Sequence, residues 1–309
     1  MNEKDKVAVC SRSFSKNRQL RKVLLERYSQ VKFNDDGLSL DGENLIEFIK
    51  SYEKIIIGLE KITPSVLEAC PNLKVISKYG VGLDNINLKE IKDKNIKLGW
   101  EGGVNKRSVS EMALCLILML MRRVHEGIED VKKGGWNQIK GNLLSKKTVG
   151  IVGFGNIGKD LSELLIPFGC DILAYDSIDI GNESINCKQV SLQEILETSD
   201  VISIHLPYNE STKDLIDITK LALMKKTSLL INLSRGGIVV EEDLKEALET
   251  KSISGAAMDV FKKEPPENND LISLENFIAT PHMGGISFEG IFDMGMAAID
   301  GLDENKVPS

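Results

Sequence analysis

The sequence predicts an α/β protein with two doubly wound domains, each a parallel sheet with helices on both faces. Its 309 residues exceed the ~100–200 that one domain usually contains. Short β-rich runs alternate with helical patterns along the whole chain, which is typical of parallel sheets. Hydrophobic residues make up 42% of the chain and charged residues 28%, so there is ample material for two cores.

The first third of the chain shows β-rich runs separated by helical patterns. We predict strands at Lys6–Cys10, Lys54–Ile57 and Leu73–Ser77. We predict helices between them at Lys16–Tyr28 and Pro64–Cys70. A long helix at Asn105–Arg123 follows, and apolar residues nearly encircle it. This helix is therefore expected to be buried.

A second β-rich series begins after a polar, glycine-bearing loop at Lys132–Leu144. Six strands are predicted, at Val149–Val152, Asp171–Ala174, Val201–Ile204, Leu229–Asn232, Gly255–Asp259 and Phe277–Thr280. The last segment, Phe288–Asp303, has a helical pattern, and we expect it to return and pack on the first domain.

Composition argues against several classes of function. The net charge of −7 disfavours nucleic acid and anionic membrane surfaces as partners. The amino terminus does not resemble a signal peptide, and the longest apolar stretch, Met112–Met121, is half of the ~20 residues that span a bilayer. Five cysteines without a C-x-x-C pair and three histidines predict no metal site. A cytoplasmic protein is expected.

The segment Thr148–Lys159 contains a glycine pattern that indicates a dinucleotide site. A β-rich run leads into Gly153, Gly155 and Gly158, spaced as G-x-G-x-x-G, and a helical pattern follows. These glycines permit a tight turn, a close approach of a pyrophosphate, and close packing of helix on strand. The next strand ends at Asp176, 18 residues past Gly158, where an acid binds ribose hydroxyls and repels a 2′-phosphate. A Rossmann domain that prefers NAD to NADP is predicted.

Three later strand ends carry side chains suited to hydride transfer on a keto acid. That chemistry needs a cation for the carboxylate, a group that donates or accepts the hydroxyl proton, and a partner that orients this group. Arg235, Glu264 and His282 stand just past predicted strands and are candidates for these roles. Each residue alone is also compatible with a purely structural role.

Taken together, these segments closely resemble the D-isomer-specific 2-hydroxyacid dehydrogenases. The resemblance runs from KVISKYGVGLDNIN (74–87) through VNKRSVSEMAL (104–114) to TPHMGG (280–285). It implies a flavodoxin-like catalytic domain formed by residues 1–103 and 286–309. It also implies an inserted Rossmann NAD-binding domain, 104–285, through which a homodimer is expected.

The resemblance also implies a role for each matching residue. Arg235 would bind the substrate carboxyl and carbonyl groups, His282 would be the acid/base, and Glu264 would be its carboxylate partner. Substrate-lining positions would include Val81, Gly82 and Asn105. Cofactor contacts would be Gly153, Gly155, Asn156, Ile157, Gly158, Asp176, His205, Leu206, Pro207, Leu233, Ser234, Asp259, Gly284 and Gly285. His205 is expected to be a wall residue and not the catalytic base.

The expected function is hydride transfer between NAD and C2 of a small D-2-hydroxy or 2-keto acid. Phosphoglycerate dehydrogenases of this family hold the phosphate with arginines near the strand predicted at 54–57, and the stretch Ile55–Lys61 has none. Lys61, Lys78 or Arg107 could take that role, so D-3-phosphoglycerate remains an alternative substrate. Two further alternatives are an NAD(H)-sensing, corepressor-like module and a dehydrogenase of formate or phosphite.

Overall fold

The computed structural model describes residues 2–181 and 187–308. The chain divides into two compact units, Met1–Asn105 with Phe288–Ser309, and Lys106–Ser287. Each unit contains one parallel sheet, as the fold class predicted from the sequence requires.

The first unit is a five-stranded parallel sheet in the order β2-β1-β3-β4-β5, which is the flavodoxin-like arrangement. Its strands are β1 Asn2–Val9, β2 Tyr28–Phe33, β3 Lys54–Ile57, β4 Val75–Lys78 and β5 Lys97–Gly99. Its helices are α1 Arg12–Lys16, α2 Arg18–Arg27, α3 Gly42–Ile49, α4 Pro64–Ala69, α5 Leu88–Asp93 and α12 Phe288–Asp300.

The central strands of this sheet are apolar because helices cover both of their faces. In β3, Ile55 and Ile57 face one core and Ile56 faces the other. The carboxy-terminal helix α12 contributes Ala298 and Ile299 to the same cluster as Leu20 of α2. The prediction that this helix returns to the first domain is confirmed.

The second unit is a seven-stranded parallel sheet in the order β12-β11-β10-β9-β6-β7-β8, which extends the Rossmann order by one strand. Its strands are β6 Thr148–Val152, β7 Asp171–Tyr175, β8 Cys187–Gln189, β9 Val201–Ile204, β10 Leu229–Asn232, β11 Gly255–Met258 and β12 Phe277–Ala279. Its α-helices are α6 Lys106–Met121, α7 Val124–Lys132, α8 Asn156–Leu165, α9 Leu192–Thr198, α10 Ile218–Leu221 and α11 Glu241–Glu249, and two 3₁₀ helices lie at Ile166–Phe168 and Asp270–Ser273.

One predicted helix is divided in the structure. The helix predicted at 105–123 ends at Met121, and α7 begins after Arg123, whose φ of 53° is left-handed and incompatible with a continuous helix. Within the described residues, no helix combines the length and apolar character needed to cross a bilayer. Because all strands of the second unit are parallel, their carboxyl ends share one edge, and the predicted site residues of this unit follow those ends.

Candidate active site

The glycine loop between β6 and α8 is open where a dinucleotide phosphate would lie. Gly153 has φ of +97°, and a Cβ there would lie 2.6 Å from the carbonyl oxygen of His205. A Cβ at Gly158 would lie 2.3 Å from the Gly153 carbonyl oxygen, so only glycine lets the helix approach the strand end. Gly155, by contrast, faces open space, and no side chain caps α8. The first-turn N–H groups at Asn156 and Ile157 thus fit a pyrophosphate.

Asp176 lies beside this glycine loop. It follows β7 directly, and its Oδ2 accepts the N–H of Phe154, between the first two glycines, at 2.8 Å. Its Oδ1 accepts the N–H of Ile178 at 3.3 Å. No arginine follows between Ser177 and Gly181. A carboxylate in this position fits the ribose hydroxyls of NAD and opposes a 2′-phosphate.

His205 forms part of the wall behind the first glycine. Its backbone N–H donates to Val152 O at 2.7 Å, and its Nε2 lies 2.8 Å from Ser203 Oγ. Burial lowers the pKa of His205 to about 4. The ring is therefore neutral near pH 7, which suits a wall residue and not a proton donor. Leu206 lies next to Gly153, and Pro207 is exposed.

Arg235 stands on a tight turn after β10 that is shaped by Asn232. The Asn232 side chain is fully buried, accepts the N–H and hydroxyl of Ser234 at 3.0 and 2.8 Å, and donates to Arg235 O at 3.0 Å. The next residue, Gly236, has no room for a side chain, because a Cβ would lie 2.1 Å from the backbone of Phe261. This close approach brings the Arg235 turn against the segment that carries Glu264.

The side chains of Glu264 and His282 are in direct hydrogen-bond contact. Glu264 Oε2 lies 2.7 Å from His282 Nδ1, while Oε1 accepts the N–H of Phe261 at 3.0 Å. The two side chains are 37% and 52% exposed, so the pair is open to an incoming ligand. With Nδ1 occupied by Glu264, the second ring nitrogen, Nε2, is the one that can exchange a proton with a ligand.

Asp259 and Gly284 also lie in this region and contact each other. Asp259 is 1% exposed and follows β11, and its Oδ2 accepts the N–H of Gly284 at 2.7 Å. A Cβ at Gly284 would meet this oxygen at 3.1 Å and the Leu233 side chain at 3.4 Å. Ser234 is buried and Gly285 half-buried, each one residue further along its loop.

The substrate-side residues predicted in the first unit lie at the carboxyl edge of its sheet or at its end. Val81 and Gly82 are half-buried in the turn after β4, where the Val81 carbonyl accepts Trp100 Nε1–H at 3.0 Å. Asn105, the last residue of this unit before α6, is buried, and its Oδ1 has no hydrogen-bond partner in the described part of the chain. A buried amide oxygen of this kind is suited to a ligand donor.

Two of the three cations that could bind a phosphate already contact other groups. Lys78 is buried and donates to the Gly58 carbonyl and to Asn85 Oδ1, the latter at 2.7 Å. Arg107 donates to the buried carboxylate of Asp160 at 3.0 Å. Lys61 is exposed.

Sequence comparison agrees with this geometry. Residues 114–284 match the family model described as D-isomer specific 2-hydroxyacid dehydrogenase, NAD binding domain. A hydroxypyruvate reductase of Thermotoga maritima is 34% identical over 283 residues, which cover 88% of this chain and 92% of that protein. The chain belongs to the D-isomer-specific 2-hydroxyacid dehydrogenase family. It is therefore an NAD-dependent oxidoreductase acting on CH–OH donors, as predicted.

Other members of the family differ in length and in named substrate. A glyoxylate reductase of Thermofilum pendens is 37% identical and covers 80% of this chain and 76% of that protein. A D-3-phosphoglycerate dehydrogenase of Methanocaldococcus jannaschii is 34% identical and covers 86% of this chain. The present dehydrogenase spans only about half of that protein, 51%.

Solved structures of the family have the same fold. The D-lactate dehydrogenase of Aquifex aeolicus, in complex with NAD and lactic acid, matches with a TM-score of 0.82 at 26% identity, covering 97% of this chain and 93% of that one. The NAD-dependent formate dehydrogenase of Staphylococcus aureus, in complex with NAD, matches with a TM-score of 0.82 at 29% identity, covering 100% and 99%.

Proposed function

We propose that this dehydrogenase reduces a small, unphosphorylated 2-keto acid to the D-2-hydroxy acid, and catalyses the reverse oxidation. The observation that carries the proposal is the 2.7 Å contact of His282 with Glu264, on strand ends that also present Arg235. NAD, when bound, supplies or accepts the hydride at C2. The side chains of this chain bind the acid and move the proton.

We assign these tasks as follows. The guanidinium of Arg235 binds the substrate carboxylate through charge-assisted hydrogen bonds. During reduction His282 donates its Nε2 proton to the carbonyl oxygen as C2 receives the hydride, and during oxidation it takes the hydroxyl proton. Glu264 orients the ring through Nδ1 and stabilises its protonated form. Val81, Gly82 and Asn105 remain predicted substrate contacts.

The environment of the three cations favours an unphosphorylated acid. Lys78 and Arg107 already have partners, and a phosphate would have to compete with them. The carboxylate of Glu60, at the end of β3, accepts the Gly58 N–H at 2.6 Å and adds negative charge at this edge. Charge repulsion there disfavours a dianionic phosphate.

A screen of NADH oxidation tests the proposed function. Glyoxylate, hydroxypyruvate, pyruvate, 2-ketobutyrate and 3-phosphohydroxypyruvate are compared by kcat/KM, and His282→Ala is measured beside the wild type. We expect turnover of one of the unphosphorylated acids and a loss of about 10²–10⁴ in rate for the variant. Turnover of none of the acids would overturn the proposal and favour an NAD(H)-sensing module.

We also propose that the second unit forms a homodimer. Val124, Ile128 and Val131 are spaced along one face of α7 and are 42%, 44% and 54% exposed. Trp136 and Leu143, in the loop after α7, are exposed as well, and α7 has no buried residue of its own. A second copy offers the same apolar surface for an isologous contact. Ile128→Glu should lower the molar mass measured by light scattering, whereas Leu25→Glu, at a similarly exposed position in the first unit, should not.

A further inference from the structure

His282 stands in a backbone conformation that its surroundings must maintain. Its φ is +53°, in the left-handed region that is uncommon outside glycine, although histidine, asparagine and aspartate adopt it more often than other residues. Such a conformation persists where neighbouring contacts enforce it. The contacts around residues 280–284 therefore decide where the imidazole lies.

The first set of contacts comes from Asp259. Its Oδ1 accepts the Thr280 hydroxyl at 2.6 Å and the Met283 N–H at 2.8 Å, and its Oδ2 accepts the Gly284 N–H at 2.7 Å. Its backbone carbonyl accepts the N–H of His282 at 2.9 Å. One buried aspartate thus binds the loop on both sides of the histidine.

The second contact comes from the first turn of α6. Ser108 Oγ donates to the carbonyl of Gly284 at 2.8 Å. The Val109 side chain approaches the same glycine, 3.7 Å from the position of a Cβ. Gly284 is thus held at its N–H by Asp259 and at its carbonyl by Ser108.

We propose that Thr280 and Ser108 are positioning residues for His282, acting through Asp259 and Gly284. This inference rests on the acid–base role proposed for His282. Glu264 is anchored independently, by the Phe261 N–H. If Thr280 or Ser108 loses its hydroxyl, the histidine loop moves while Glu264 stays, and the 2.7 Å contact lengthens. A displacement near 1 Å at a reacting group costs up to about 10²-fold in rate.

Substitutions that remove or retain each hydroxyl test this inference. Thr280→Val keeps the shape and removes the donor, Thr280→Ser keeps the donor, and Ser108→Ala removes the second contact. We expect kcat to fall about 10- to 100-fold in Thr280→Val and Ser108→Ala and to recover in Thr280→Ser. The KM of the keto acid should change less than about threefold, because neither side chain binds the acid. The affinity for NADH, measured by fluorescence titration, should fall less than kcat does.

An isotope effect distinguishes a misplaced acid from a partly unfolded enzyme. When the proton and hydride step is slowed, the effect of [4-²H]NADH on kcat rises, whereas a smaller folded fraction leaves it unchanged. Thr250→Val and Ser228→Ala are matched controls. Their hydroxyls donate to the carbonyls of Glu246 and Ser199 at 2.7 Å, and neither carbonyl belongs to the histidine loop. Both controls should keep the wild-type kcat and isotope effect.

The outcomes separate this inference from the proposed function. An inactive His282→Ala with a near wild-type kcat in both Thr280→Val and Ser108→Ala would overturn the positioning roles and leave the acid–base role intact. A tenfold loss of NADH affinity in Thr280→Val at unchanged kcat would also overturn them. Full activity of His282→Ala would instead contradict the proposed function. If Thr280→Val does not fold, the kcat values of Ser108→Ala and Thr280→Ser still test the positioning roles.

Discussion

Glu264 bridges its own turn to His282, because one carboxylate oxygen accepts the Phe261 N–H at 3.0 Å and the other lies 2.7 Å from the imidazole Nδ1. The backbone contact fixes the carboxylate before any ligand arrives. The histidine therefore meets a charge whose position does not depend on substrate. Orientation and stabilisation of the imidazolium are both expected from this single side chain.

Glu264→Gln should separate these two effects. The amide keeps the shape but removes the charge, so the protonated imidazole loses its stabilisation. We expect kcat of keto-acid reduction to fall about tenfold, because the protonated imidazole is the proton donor. Glu267→Gln, an exposed acid that pairs with Lys263, is the control. An unchanged kcat in Glu264→Gln would show that the pair has no catalytic role.

Asp176→Asn should weaken the preference for NAD. The amide oxygen can still accept the Phe154 N–H, now 2.8 Å from the carboxylate, so the glycine loop keeps its support. The negative charge that repels a 2′-phosphate is lost. We expect the ratio of kcat/KM for NADPH to that for NADH to rise at least about tenfold, worth ~1.4 kcal/mol. Asp179→Asn should leave the ratio unchanged, and an equal rise there would contradict the role of Asp176.

The fold and the residues proposed for the site could be identified in the sequence because their signals are local. Continuous apolar runs such as Lys54–Ile57 identify central strands, and Gly153 and Gly158 have a spacing that the turn itself imposes. Strands β2, β5 and β8 were not predicted, since they lie at the edges of their sheets and carry exposed polar residues. Their pairing depends on neighbours far along the chain.

The supporting contacts of the site could not be predicted, since they join distant segments. Asn232 and Thr280 lie where the sequence predicts strand ends. The hydrogen bond of Thr280 with Asp259, however, depends on how β11 and β12 align. Ser108 is 176 positions from Gly284. The burial of Lys78, which removes it as a free cation, likewise follows from the Gly58 carbonyl and Asn85 meeting it in space.

Substrate selectivity should reflect the hydrogen bonds that Lys78 and Arg107 already make with other residues. We expect 3-phosphohydroxypyruvate not to exceed hydroxypyruvate in kcat/KM by more than about tenfold, ~1.4 kcal/mol of transition-state binding. If Lys61 does not bind a phosphate, Lys61→Ala should change this ratio by less than about threefold. A large advantage for the phosphorylated acid that Lys61→Ala abolishes would establish the phosphoglycerate alternative.

Lys54 should stabilise the first unit. Its Nζ lies 2.9 Å from Asp5, 3.0 Å from Asp303 and 3.0 Å from the Tyr28 hydroxyl. Burial acts to lower the pKa of Lys54, but the hydrogen bonds with Tyr28, Asp5 and Asp303 outweigh it and raise the pKa. Because its pKa is raised, the contribution of Lys54 to the free energy of unfolding is complete below pH ~10 and declines above it.

Lys54→Met should therefore lower the free energy of unfolding at pH 7 by about 1–3 kcal/mol, with kcat unchanged. The difference from the wild type should shrink as the pH rises above about 10.5. Lys74→Met, which removes an exposed partner of Glu53, is the control and should leave the free energy of unfolding close to the wild-type value. Equal effects of the two substitutions would contradict the role of the cluster.

His205 should make the second unit sensitive to mild acid. Burial lowers its pKa to about 4, below the ~6.5 of an unfolded histidine. A lowered folded pKa means that the stabilisation is complete above pH ~6.5 and is lost as the pH falls toward 4, because the unfolded state binds the proton more readily. His205→Asn keeps a polar side chain beside Ser203 but cannot titrate. The free energy of unfolding of the wild type, measured with urea, should fall by about 2–3 kcal/mol more than that of this variant between pH 6.5 and 4. The control His125→Asn, on α7, should show the same pH dependence as the wild type. If the free energy of unfolding falls equally in the wild type and in His205→Asn, the ring of His205 is not the cause.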